Sequence, residues 1–315
     1  MALALTEMTA LRAHHRGGPE VLAVERAPVP VPAAGEVLIA VHAAAITFDE
    51  LTWEETWTRD GVSRTPVIPS HEVSGVVAEI DSGVRDFAPG DEVYGLIGFD
   101  RDGAAADFVA VPEAGLATKP STISHAAAAA LPLAGLTALQ ALVDHAAVQP
   151  GESVLVHGGA GGVGALAVQL AAGYGAHVTA TIRSDAAELV RGFGAQRIID
   201  VRTEAFDETG PYDVVVDTVS GETLDRSFAV LRRGGRLVTL SAPPPADTAD
   251  QYGVRAMFFI VTPNRDQLAE LAALVDSGRL HVPIAETFPL AEGRQAFESG
   301  LRSNRRPGKT VLVVS

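Results

Sequence analysis

The segment His157-Gly158-Gly159-Ala160-Gly161-Gly162-Val163-Gly164 is built to hold a diphosphate. Gly159, Gly161 and Gly164 fit the spacing G-x-G-x-x-G. The first glycine allows a tight turn, the second lets backbone approach a pyrophosphate, and the third lets a helix pack on a strand. A helix starting here offers free N–H groups and a positive dipole end to phosphate oxygens. Contacts are therefore expected from Gly159, Ala160, Gly161, Gly162, Val163 and Gly164. An NAD site usually carries an acid about 20 residues on, at the end of the next strand. Here that strand, residues 177–182, runs into Arg183-Ser184, and Asp185 comes only afterwards. A guanidinium grips a 2′-phosphate through charge-assisted, forked hydrogen bonds, and Ser184 adds a hydroxyl donor. The expected cofactor is NADPH.

Other residues suit proton and oxyanion chemistry. His71 has the intrinsic pKa of a proton relay, or else it is a structural histidine tied to Glu72. Thr47 can donate to a substrate oxygen or a ribose, or simply end a strand. Asp49 and Glu50 are read as opening a helix that carries Trp53 and Trp57 at i and i+4, on one face. That face either lines an aromatic substrate pocket, with Asp49 and Trp53 in it, or only packs. The chain has no cysteine, which excludes disulfides, thiolate nucleophiles and cysteine-bearing zinc sites.

The elements that must position these groups fall into two patterns. Before residue 121, short strand candidates at 37–42, 73–80, 92–97 and 108–111 are broken by Gly and Pro, as in a β-rich barrel or sandwich. After it, strand candidates at 153–157, 177–182, 197–200, 213–217, 236–240 and 257–261 alternate with helical stretches at 165–172 and 185–192. That alternation predicts a parallel sheet with helices on both faces. Strand C-termini are where such sheets bind ligands, which draws in Thr218, Val219, Ser241 and Ala242. Asn264 is read as the N-cap of a helix over 267–276, closed by Gly278. A last strand, 309–314, is expected to return to the first domain. The expected domains are 1–121, 122–262 and 263–315, the last rejoining the first.

Length and composition agree with that plan. A chain of 315 residues with 47% hydrophobic and 20% charged residues can build two cores. Its net charge of −15 disfavours nucleic acid and acidic membrane surfaces. No apolar run approaches the ~20 residues that span a bilayer. Residues 1–16 lack a secretory pattern. A cytoplasmic protein that acts on a small molecule is expected.

Several motifs occur together and in order. They are the glycine loop, Pro69-Ser70-His71-Glu72-Val73-Ser74-Gly75, Pro89-Gly90-Asp91, Leu133-Ala134-Gly135-Leu136-Thr137-Ala138, Asp217-Thr218-Val219, Gly234-Gly235-Arg236 and Gly308-Lys309. The chain resembles the medium-chain dehydrogenase/reductase superfamily, in its zinc-independent, quinone-oxidoreductase-like branch. The resemblance implies an α/β fold: a Rossmann doubly wound parallel sheet plus a discontinuous, chaperonin-10-like β-rich catalytic domain. It also implies a homodimer paired at Rossmann edge strands, with 257–261 as the candidate edge.

Zinc relatives hold the metal near the positions of Thr47, His71 and Leu133. Here only His71 could ligate, and one histidine does not make a tetrahedral site. Thr137 resembles a threonine close to the nicotinamide, and Lys309 a lysine that reaches the cofactor. Phe258, Phe259 and Val261 are placed beside nicotinamide and substrate. A tyrosine common after the third Rossmann strand is replaced by Asp200-Val201-Arg202, where Arg202 is a substitute phosphate ligand. Arg302, Arg305 and Arg306 form a basic cluster, solvated or functional.

Without a metal Lewis acid, hydride transfer to a conjugated carbonyl or a quinone is easier than alcohol oxidation. The leading reading is an NADPH-dependent, zinc-free reductase of a quinone or α,β-unsaturated carbonyl. Two alternatives stand beside it: a stand-alone enoyl-thioester reductase, and a non-catalytic NADPH-binding sensor.

Overall fold

The computed structural model describes residues 6–183, 185–302 and 305–314. The chain forms two compact units. Unit 1 takes the chain as far as Leu133, Thr262–Asp276 and everything from Ile284 onward; unit 2 takes Ala134–Val261 and Ser277–Pro283.

Unit 1 opens with an antiparallel pair, β1 (Glu7–Ala13) and β2 (Leu22–Pro28). Next come β3 (Glu36–Ala45), the one-turn helix α1 (Glu54–Trp57) and a minimal hairpin, β4 (Thr58–Arg59) with β5 (Val62–Ser63). The strands β6 (Glu72–Ile80), β7 (Glu92–Leu96), β8 (Phe108–Pro112) and β9 (Leu116–Thr118) follow, then α2 (His125–Ala129); α3 (Pro132–Leu139) begins at the end of this stretch and belongs mostly to unit 2. β3 is buried along most of its length because β6 and β8 both pair with it. A Cβ at Gly75 would press into the Ala40 carbonyl, so glycine allows β6 to lie this close to β3.

In unit 2, strands and helices alternate. They are β10 (Ser153–Val156), α4 (Gly162–Gly173), β11 (His177–Ile182), α5 (Ala187–Gly192), β12 (Arg197–Asp200), β13 (Tyr212–Asp217), α6 (Glu222–Ser227), β14 (Leu231–Thr239), α7 (Thr248–Tyr252) and β15 (Arg255–Phe258). The sheet is parallel with order β12-β11-β10-β13-β14-β15. Strands β10 and β13 are runs of buried Val and Leu, as expected for strands covered on both faces. The order reverses between β10 and β13, so their C-terminal ends flank the switch point where open α/β sheets bind ligands.

The chain then forms α8 (Arg265–Asp276), β16 (Ile284–Pro289), α9 (Gly293–Glu298) and β17 (Lys309–Val313). Asn264 Oδ1 caps α8 by accepting from the Gln267 N–H at 3.1 Å. β17 lies between β16 and β3, completing a seven-stranded sheet in unit 1. The architecture is α/β, a doubly wound sheet plus a discontinuous β-rich unit.

Three local expectations are corrected. The 257–261 strand runs Arg255–Phe258, because the chain turns toward Pro263, which cannot continue a ladder. The strand expected at 236–240 begins earlier, as β14 from Leu231 to Thr239, with a register shift against β13 around Gly234-Gly235. The single helix from Asp49 does not form. A 3-10 turn over Glu50–Thr52 ends at Trp53, whose extended backbone caps α1. Trp53 and Trp57 therefore do not share a helix face.

Candidate functional site

The glycine loop joins β10 to α4 at the switch point. The left-handed residue is Gly158 (φ +70°), one position before the glycine expected to make the turn. Its carbonyl accepts from the Gly161 N–H at 2.8 Å. Gly159 must be small for packing, since a Cβ there would stand 2.8 Å from Ala180 Cβ. A Cβ at Gly164 would collide with the Gly158 carbonyl oxygen. Removing these side chains leaves a backbone-walled cradle at the start of α4. The N–H groups of Gly162, Val163 and Gly164 open that helix with no carbonyl one turn before them. Such a cradle fits a dinucleotide pyrophosphate.

A cavity of about 520 Å³ in unit 2 adjoins the loop, lined by Gly158, Arg183, Arg202, Thr203, Phe206 and Arg226 among others. Arg202 is occupied. Its Nε donates to Asp200 Oδ1 at 2.9 Å, and its Nη2 donates to Asp200 Oδ2 at 2.6 Å and Asp185 Oδ1 at 2.7 Å. Arg226 is held by Asp207 and lies 4.8 Å over the Phe206 ring. Arg183 is exposed and has no ion pair among the described residues. Ser184, expected beside it, lies outside the described residues.

Asp217 organises the other side of the loop. Its buried carboxylate accepts from the Val219 and Ser220 N–H groups (3.0 and 3.1 Å) and from the Thr239 hydroxyl (3.2 Å). Thr218 Oγ1 donates to the His157 carbonyl at 2.8 Å, which sets Thr218 and Val219 against Gly158. Asp217 is named in the sequence as part of a motif, but no role in the site is assigned to it there. Its signal is the unusual placement of a carboxylate at the end of an apolar strand. Ser241 and Ala242 follow β14, where the Ala242 carbonyl accepts from Thr239. Thr137 is buried in α3 and its hydroxyl has no partner among the described residues. Phe258 ends β15, Phe259 lies 4.1 Å from His145 in ring-centroid contact, and Val261 is buried.

Unit 1 gathers a second set of groups. Lys309 Nζ ion-pairs with Glu72 and donates to Thr47 Oγ1 at 3.2 Å. The other Glu72 oxygen accepts from the Leu133 N–H at 2.9 Å. Lys309 and Glu72 are both buried. His71, adjacent to Glu72, is 2% exposed, and neither ring nitrogen has a hydrogen-bond partner among the described residues. Burial pushes its pKa down to about 4, so the imidazole is neutral at pH 7. Glu50 Oε2 lies 4.0 Å from His71 Nε2. The same burial pushes the Glu50 carboxyl well above the usual carboxylate range, despite an N–H donated by Ser70. Trp53 and Phe99 close on His71, with ring centroids 6.5 and 5.4 Å away. Asp49 is exposed ahead of the 3-10 turn, and Trp57 is buried in the core.

Glu50 and Phe99 escape a reading of the sequence, because nothing in their spacing marks them as neighbours of His71. These residues do not fit a zinc ion. Thr47 and Leu133 supply no ligand of the needed kind, and both Glu72 oxygens are engaged. Among the described residues no cluster of three or more His, Asp or Glu could hold a metal.

Residues 33–121 match the alcohol dehydrogenase GroES-like domain, and residues 193–312 match the zinc-binding dehydrogenase family. The chain is 37% identical to an NADPH-dependent alkenal/one oxidoreductase, chloroplastic, of Arabidopsis thaliana, over 94% of this chain and 77% of that protein. It is 36% identical to a 2-methylene-furan-3-one reductase of Solanum lycopersicum, over 98% and 79%. The structure of a quinone oxidoreductase from Coxiella burnetii superposes with a TM-score of 0.90 at 31% identity, covering 98% of this chain and 100% of that one. The chain belongs to the medium-chain dehydrogenase/reductase superfamily, in its quinone-oxidoreductase-like branch, and is an oxidoreductase.

Proposed function

We propose that the protein is an NADPH-dependent reductase of quinones or α,β-unsaturated carbonyls and that it works without zinc. The observation that carries this reading is the Lys309–Thr47–Glu72 cluster. Its ammonium and hydroxyl are the groups proposed to support an oxyanion. Bound NADPH supplies the hydride. The glycine cradle holds its pyrophosphate, Arg183 grips its 2′-phosphate, and Asp217 sets Thr218 and Val219 beside the loop. Thr137, Ser241, Ala242 and Phe259 are assigned to the cofactor, and Trp53, Asp49, Phe258 and Val261 to the substrate.

A hydroxyl that accepts from Lys309 keeps its own O–H free to donate. Thr47 is therefore the proposed donor to the substrate oxygen, with Lys309 stabilising the charge that develops there. Charge spread over a conjugated carbonyl or quinone is a case this donor pair can serve without a Lewis acid. His71 is the proposed proton relay, with Glu50, whose carboxyl burial pushes above the usual carboxylate range, as the neighbouring acid.

The reading also takes the protein to be a cytoplasmic homodimer joined at the outer edge of β15, with a small electrophile as its partner. The −15 charge supports this against nucleic acid, and no helix among the described residues is long and apolar enough to cross a membrane. Sedimentation velocity checks the dimer.

The deciding experiment follows nicotinamide absorbance with NADPH and NADH against a panel of quinones and enones. NADPH consumption well ahead of NADH is expected, and a strong chelator should leave the rate unchanged. Tight NADPH binding with no turnover on any panel member would overturn the reductase reading in favour of a sensor. Loss of activity on chelation, restored by zinc, would overturn its metal-free form.

A further inference from the structure

The chain turns from β10 into the glycine loop at His157-Gly158, and both neighbouring strands grip that turn. On the β13 side the His157 N–H donates to the Val216 carbonyl at 2.9 Å, and Thr218 Oγ1 donates to the His157 carbonyl at 2.8 Å. On the β11 side the Gly159 N–H donates to the Thr181 carbonyl at 2.8 Å, and the Gly158 N–H donates to Thr181 Oγ1 at 3.1 Å. Gly158 is the left-handed residue of the loop, and its carbonyl holds the Gly161 N–H. Its own N–H depends on a side-chain hydroxyl that has to keep a lone pair turned toward it.

Hydrogen-bond directions fix that hydroxyl. Ser227 Oγ donates its single proton to the Thr223 carbonyl at 2.6 Å, so it accepts from His157 Nε2, 3.0 Å away. Nε2 therefore carries a proton. The ring is fully buried and has the Arg226 guanidinium as its charged neighbour, and both favour the neutral form. A neutral imidazole has one N–H, which leaves Nδ1 an acceptor. Nδ1 lies 3.2 Å from Thr181 Oγ1. The Thr181 proton thus points at Nδ1, and its lone pairs are left for Gly158. The relay runs from Gly158 through Thr181, His157 and Ser227 into α6, and each donor meets one acceptor.

We propose that His157 is a positioning residue for cofactor binding: by holding the Thr181 hydroxyl in one orientation, it fixes the Gly158 turn and with it the N–H groups that meet the pyrophosphate. His157 acts through Thr181. The inference rests on the reading that the glycine loop binds NADPH.

The test is calorimetric titration of NADPH and NADH, with urea unfolding of each variant beside it. H157N places an amide where the ring carries Nδ1, and H157Q places one where the ring carries Nε2. Both give up the ring packed 4.5 Å from Phe206, so both should lose stability. H157N should nevertheless bind NADPH within about threefold of the unaltered protein, and H157Q about tenfold more weakly. T181V strands the Gly158 N–H and should weaken binding by about tenfold or more, whereas T181S should restore most of it. NADH should lose by the same factor, because the two cofactors share the pyrophosphate. S227A leaves the histidine in place but removes the acceptor that fixes its tautomer. It should weaken NADPH by about threefold in the unaltered background and by nothing further in T181V.

Equal losses of affinity in H157N and H157Q would mean that the ring only packs, and would overturn the proposal. An S227A loss that persists in T181V overturns it too, even if neither His157 variant folds. So does a T181V protein that binds as tightly as the unaltered one. A T181V loss confined to NADPH assigns that hydroxyl, which lines the same cavity as Arg183, to the 2′-phosphate instead. Failure of the unaltered protein to bind either cofactor overturns the reading of the glycine loop and this inference with it.

Discussion

Arg183 faces the cavity beside the glycine loop without a carboxylate partner among the described residues, whereas Arg202 and Arg226 are held by Asp200 and Asp207. A free guanidinium can take a phosphate without first giving up an ion pair. Arg183→Ala should therefore raise the dissociation constant for NADPH by roughly tenfold to a hundredfold and leave NADH nearly unchanged. Titration of each cofactor by calorimetry checks it, and equal losses for the two would show that Arg183 does not read the 2′-phosphate. Lys309 presents the opposite case, a cation already committed. Lys309→Met leaves the Glu72 carboxylate buried beside an apolar chain, at a cost of about 3 kcal/mol or more. Adding Glu72→Gln should recover most of that loss in urea unfolding. A single variant as stable as the unaltered protein would show the pair to be dispensable. The two cations also mark what sequence can show. Arg183 is legible because it lies a fixed distance after the glycine loop. Lys309, Glu72 and Thr47 meet only through the pairing of β17 and β6 with β3, so no spacing along the chain announces them.

Elements are legible where one local rule governs them. β10, β11 and β13 read as strands because β-branched runs between helical stretches have few alternatives, and the cap at Asn264 lies within three residues of its target. β1 and β2 are not legible in this way, because their pairing partners, more than their own residue types, make them strands. The Trp53–Trp57 face misleads because periodicity cannot see the 3-10 turn that ends at Trp53. Helix α4 combines both kinds of information and gives a paired test. A Cβ at Gly164 would strike the Gly158 carbonyl, whereas a Cβ at Gly173, at the far end, would meet nothing within 4 Å. Gly164→Ala should displace the loop from the helix and weaken NADPH binding by about tenfold or more, with loss of stability. Gly173→Ala should raise stability by about 0.5–1 kcal/mol and leave binding alone. Thermal melts with and without NADPH separate the two, and equal behaviour of the variants would mean that the cradle does not depend on that close approach.

Each compact unit buries an imidazole, which ties the stability of the whole molecule to pH. His71 in unit 1 is pushed down to about 4, and His157 in unit 2 to about 3, both chiefly by burial. His157 hydrogen-bonds to Thr181 Oγ1 (3.2 Å) and Ser227 Oγ (3.0 Å), neighbours that suit a neutral ring. The unfolded chain takes up protons on these side chains near pH ~6.5, and the folded chain does not. Their contribution is therefore complete above pH ~6.5 and is lost as pH falls toward the folded values, by at most about 1.4 kcal/mol per pH unit for each. Glu50 acts in the opposite sense. Its folded pKa is raised, so the folded chain holds a proton that the unfolded chain releases, and acidification toward its ordinary value of 4.5 favours the folded state. Asp217, raised by burial, adds a smaller effect of the same sign closer to its ordinary value of 3.8. The net acid loss in the unaltered protein should therefore be shallower than two histidines alone would give, and Glu50→Gln should steepen it. Urea midpoints taken between pH ~7.5 and ~4.5 measure this directly. A steeper fall in Glu50→Gln, relieved by adding His71→Asn, is the expected result. A midpoint in Glu50→Gln that does not move below pH ~6.5 would mean that neither buried imidazole resists protonation in the folded protein.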